Sequence, residues 1–156
     1  MSSERTNRGR IRRRQSHHWY WVAAIPAGFL LWVLTVGWLA LASSWEAFGF
    51  GTDLVNLSLV ALGVPFAFLT AYFPVAVYRD ADYVNRTSGQ WAPNPMRQAL
   101  LAAPGIVLLV AVAVAAAVYD LPPTWPVVAG FAASVPFALY YLKERRERVG
   151  TPDVPW

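Results

Sequence analysis

The chain has no cysteine. Disulfides and thiolate metal sites are therefore excluded. Lysine occurs once, as Lys143, against twelve arginines. Charge of any kind is scarce, at 14% of residues, where a soluble domain carries roughly 25%. Between residues 19 and 45, 54 and 78, 98 and 119, and 121 and 142 there is none at all. Proton relays, ion-coupling sites and buried counter-ions usually need an ionisable group within a span, so these gaps argue against a proton- or ion-coupled transporter. The chain also lacks a Walker loop, a dinucleotide glycine motif, an HExxH and a GxSxG. No nucleophile–base pair is recognisable. The sequence therefore points to no catalytic residue, no cofactor, no metal and no enzymatic role.

What fills the gaps is apolar. Composition is 56% hydrophobic and 15% aromatic. Each charge-free run exceeds the ~18 residues that mark a membrane span. The expected fold is all-α, a four-helix transmembrane bundle. Its domain, 19–142, has spans at about 19–44, 54–78, 97–119 and 123–142. A basic tail, 1–18, precedes it and a charged tail, 143–156, follows.

The thirteen Lys and Arg occupy three places: Arg5–Arg14, Arg79–Arg97 and Lys143–Arg148. The two other loops hold only acids: Glu46 and Asp53 in the first, Asp120 in the second. Bases stay cytoplasmic in the positive-inside pattern, which largely ignores acids. Four spans with both termini in the cytosol satisfy it, in a multi-pass protein of the cell membrane. The net charge of +4 then reflects topology and not nucleic-acid binding, because the bases flank spans instead of forming one patch. The first tail, with six arginines and little apolar content, reads as disordered. Its expected partner is anionic lipid headgroups, at about 1 kcal/mol per base near the surface. Ala40-Leu41-Ala42 resembles a signal-cleavage site, but the run from Trp19 to Trp45 is far longer than a signal core of about 7–15 residues. The first helix is read as uncleaved.

Trp19, Tyr20 and Trp21 at one end of the first span, and Trp45 at the other, fit aromatic belts at the headgroup boundary. Trp32 and Trp38, within that span, are six residues apart and do not share a helix face; they read as packing residues. Pro65 and Pro136 fall mid-span in the second and fourth helices and are candidate kinks. The third span is alanine-rich and reads as the most buried of the four. Adjacent His17 and His18 are poorly placed to share a metal.

The central interval Arg79–Arg97 is the one long polar stretch between spans. The second helix is expected to continue into it, to about Val84. Asp82 and Arg86, acid first and four apart, suit a surface pair. Asp80 and Asp82 read as solvated charges that point in different directions. Ser88-Gly89 reads as a stop, Trp91 as a ring lying back on the membrane, and Asn94-Pro95 as the start of the next helix. Candidate interaction residues are Arg79, Asp80, Asp82, Arg86 and Trp91. The strings Tyr78–Val84 (YRDADYV) and Trp91–Pro95 (WAPNP) resemble a module of small multi-span membrane proteins from halophilic archaea. That resemblance implies a four-span layout and no particular activity.

Val64-Pro65-Phe66-Ala67 recurs as Val135-Pro136-Phe137-Ala138. A parallel duplication of a helix pair would explain this, as would chance in a narrow alphabet. The function expected is a structural, accessory or interaction role. Its partner would be another membrane protein or a second copy. The alternative is a small oligomeric channel or passive transporter, with Asn56, Thr70 and Ser134 as thin polar support. Reporter fusions placed at Phe50 and Pro122 are expected to read outside, and one at Gln90 inside; the reverse pattern at any of them overturns this topology.

Overall fold

A computed structural model describes residues 17–44, 52–87 and 91–149. The tail 1–16, the loop holding Trp45, the Ser88-Gly89 stop and residues 150–156 lie outside the described residues. Five helices follow one another: α1 His18–Ser44, α2 Thr52–Thr87, α3 Pro95–Ala102, α4 Pro104–Tyr119 and α5 Trp125–Val149. No strand occurs among the described residues. Four stretches are long and apolar enough to cross a membrane: His18–Ala42, Leu57–Thr87, Pro95–Tyr119 and Trp125–Val149. The all-α, four-span expectation holds, and the chain is a multi-pass membrane protein.

α2 and α5 meet across the centre. α1 packs on both, while α4 packs mainly on α5 and lies at the corner opposite α1. The centre is filled by large rings. Trp32 stands 5.3 Å from Phe66, Phe66 6.0 Å from Phe131, and Phe131 5.8 Å from Phe29. Offset and edge-on pairs of this kind add about 0.5–1.5 kcal/mol each beyond their area. The middle of the described bundle is thus largely aromatic, with Thr70 and Ser134 the buried polar side chains beside the rings. Trp32 is buried and Trp38 is 65% exposed, as their spacing requires.

Three expectations about the helices change. The third span is two helices: Asn94 caps α3, its side chain accepting from the Arg97 N–H at 3.1 Å, with Pro95 in the first turn. α3 ends because Pro104 has no N–H to give Leu100; the Ala103 N–H bonds that carbonyl instead, at 3.3 Å, in a tighter turn. The same span is also the least buried of the four, not the most. Small side chains did not bring it inside; they let one edge lie close to α5, and the rest of α4 faces outward, with Val107, Val110, Val114 and Val118 exposed. Finally, α2 runs on to Thr87, about one turn past the expected end near Val84, and α5 runs on to Val149, past the span end at about 142. Both prolines proposed as kinks, Pro65 and Pro136, sit on exposed faces of helices that continue through them. The Thr70 hydroxyl does not serve a carbonyl freed by proline; it donates to Phe66 O at 3.0 Å.

α4 and α5 come close together at two glycines. A Cβ at Gly105 would overlap Ser134 Oγ and come within 3.0 Å of the Gly130 carbonyl oxygen. Gly130 in turn lies against Thr70 and Leu109. Glycine here permits the contact that lipid cannot drive hydrophobically. Gly105→Ala is expected to cost about 1–3 kcal/mol through overpacking, read as a lower melting temperature in detergent. Adding Ser134→Ala should recover part of that loss, since Ser134 Oγ is buried without a partner; equal melting temperatures for wild type and Gly105→Ala would refute the contact.

Candidate functional site

Past Arg79, α2 keeps one face inward. Phe73, Val77, Asp80 and Val84 recur at spacings of four, three and four, and all are buried. Asp80 is thus a carboxylate set into an apolar stripe. It is fully buried, not the solvated loop charge expected. Its neighbours Arg79 and Asp82 fall outside the stripe and are less buried.

The partner comes from α5. Ser134, Ala138, Tyr141 and Arg145 form its matching stripe and are all buried. Tyr141 donates its hydroxyl to Asp80 Oδ2 at 3.0 Å. Arg145 Nε donates to the same oxygen at 2.9 Å. One carboxylate oxygen therefore carries two donors, one of them charged. The other, Oδ1, is buried and has no hydrogen-bond partner. Contact through Nε alone is not the parallel two-bond fork by which arginine usually holds a carboxylate.

Aromatic rings close the site on two sides. The Arg145 guanidinium carbon lies 5.8 Å from the Trp19 ring centroid, within cation–π range. Trp91 stands 5.9 Å from Tyr141 and packs against the core, so it is part of the interior and not a ring lying on the bilayer. The site thus gathers α1, α2, α5 and the segment before α3. Arg145 is twenty residues past Trp125, about 30 Å further along α5, so the ion pair lies toward the end of the bundle where the bases lie.

The other sequence candidates divide. Asp82 and Arg86 form the expected pair, 2.9 Å apart, on the surface. Arg79 is exposed and has no acidic partner among the described residues. Asp80 and Asp82 do point apart, one into the bundle and one out. No group of three or more His, Cys, Asp and Glu able to hold a metal occurs among the described residues. Arg145 and Tyr141 were not singled out from the sequence. The signal was there in the four-residue spacing of Tyr141 and Arg145, in line with Ala138 and Ser134. Assigning 143–156 to a charged tail masks it. Comparison with protein-family models, curated proteins and solved structures finds no match.

The arrangement has an energetic signature. Arg145→Met strands a buried carboxylate and is expected to cost about 3–5 kcal/mol. The paired change Asp80→Leu with Arg145→Met should cost less than either single change, because no charge is left alone. Thermal melts of the three purified variants check the order; a double variant less stable than both singles would refute the pairing.

Proposed function

We propose that the chain is a cell-membrane protein with both termini in the cytosol and an accessory or interaction role. The observation that carries this reading is the Asp80–Tyr141–Arg145 tie. It fixes the ends of α2 and α5, so the polar interval between spans is presented from a rigid base. Arg79 and Arg97 on this interval, and Lys143 and Arg146 on α5, are exposed without acidic partners among the described residues. Such bases suit an acidic surface on a membrane-protein partner or a second copy. The basic first tail adds attraction to anionic headgroups. The resemblance to small membrane proteins of halophilic archaea suggests a source class and no activity. Catalysis plays no part in this reading.

The aromatic centre supports this role over a pore through one bundle. A channel, the alternative, would need a path between copies. The test is affinity purification of the tagged full chain from native membranes, beside a variant with Arg79→Glu and Arg97→Glu. A stoichiometric membrane-protein partner, lost in the variant at unchanged melting temperature, is expected. A lone monodisperse oligomer that conducts ions in liposomes would overturn the reading in favour of the channel.

A further inference from the structure

Two tryptophans flank the tie between α2 and α5, and they are held in different ways. Trp19 is the second residue of α1, with the Arg145 guanidinium carbon 5.8 Å from its ring centroid. Its backbone belongs to a helix of 27 residues. Trp91 stands 5.9 Å from Tyr141, with the two rings tilted by 47°. No helix carries Trp91. Residues 91–94 have no regular secondary structure. They join α3 through Asn94, whose side chain accepts from the Arg97 N–H.

Burial changes sharply across the Trp91 ring. Behind it, Tyr141 is 1% exposed and Asp80 is fully buried. Trp91 itself is half-buried, and Ala92 beside it is exposed. Inward from Trp91, ring contacts run to Tyr141, then to Phe137 at 6.4 Å, then to Phe73 at 6.2 Å. The indole is thus the outer member of this chain of rings. Irregular segments open locally at a small part of the energy of global unfolding, while packed helices open last. The attraction within an ion pair is far stronger in a dry site than in water. Holding and releasing the indole therefore has leverage on the tie.

We propose that residues 91–94 are a strap, and that Trp91 is a releasable cover keeping water from the Asp80–Tyr141–Arg145 tie. The strap lifts by turning its own backbone, with no helix unwound. Water then reaches the Tyr141 hydroxyl and the unpartnered Asp80 Oδ1. It competes for the donors and loosens α2 and α5 at the basic end. The middle of the bundle, filled by Phe29, Phe66 and Phe131, stays packed. The strap lies within the polar interval Arg79–Arg97, so whatever engages that interval through the indole acts on helix packing as well. Tryptophan suits such a role, because it is among the side chains that anchor protein contacts most strongly. The strap rests on the geometry of the tie and not on the interaction role, so the partner experiment can fail while the strap stands.

The test is amide hydrogen exchange read by mass spectrometry, on the full chain in detergent. Trp91→Ala should speed exchange over residues 141–145 roughly tenfold, because local opening at this end becomes easier. Exchange over 127–134 should stay at the wild-type rate. Trp91→Phe keeps a ring over Tyr141 and should exchange as wild type does in both stretches. Trp91→Leu, a milder cut, should speed 141–145 alone and decides the matter if Trp91→Ala fails to fold. Stability gives a second reading. With the cover in place, Arg145→Met strands Asp80 in a dry site; without it, water reaches the carboxylate. The drop in melting temperature caused by Arg145→Met should therefore be smaller in the Trp91→Leu background, a departure from additivity between coupled positions. The proposal is overturned if 141–145 keeps its wild-type rate in the alanine and leucine variants. It is equally overturned if 127–134 speeds up as much, which would make Trp91 an ordinary core residue, or if the two losses of melting temperature simply add.

Discussion

A carboxylate withdrawn from water must be answered by charge or by hydrogen bonds, and Asp80 is answered from one helix only. Tyr141 and Arg145 both belong to α5 and both reach the same oxygen. Removing either charge, Asp80 or Arg145, leaves the other in a medium that solvates it poorly. The fold therefore depends on α2 and α5 keeping their register at this end. The pair need not contribute net stability, since an apolar pair of similar shape can do as well. Sliding α5 by one turn would separate Asp80 from both of its donors.

The rest of the bundle is held differently. Between membrane helices there is little hydrophobic drive, so contact must come from shape. The Gly105–Ser134 and Gly130–Thr70 approaches provide it between the helices, and the rings around Trp32 and Phe131 fill what remains. This division explains why α4 can be both closely packed and broadly exposed. One edge lies against α5, and the other faces whatever surrounds the bundle.

Much of the fold was legible in the sequence. Spans, the capped start at Asn94 and the Asp82–Arg86 surface pair follow from local rules of hydropathy and spacing. The site was less legible, for a physical reason. Charged residues were taken to mark the ends of the membrane part, so Asp80 and Arg145 were assigned to water. Yet Phe73, Val77 and Val84 continue the inward face of α2 on both sides of Asp80. A charge in an apolar stripe near a boundary asks for an opposite charge at similar depth, and Arg145 on the last helix is placed to supply it. The break between α3 and α4 at Ala103 and the outward face of α4 could not be read from composition, because alanine suits a crowded interface and a lipid-facing surface alike.

The distance along the chain between the two charges has a consequence for how the protein is made. Sixty-five residues separate Asp80 from Arg145. At ordinary translation speeds the ribosome needs roughly 3–13 s to cover them. During that interval α2 has emerged with an acid whose answering base does not yet exist. Until the last helix is made, Asp80 lacks both donors that answer it in the folded bundle.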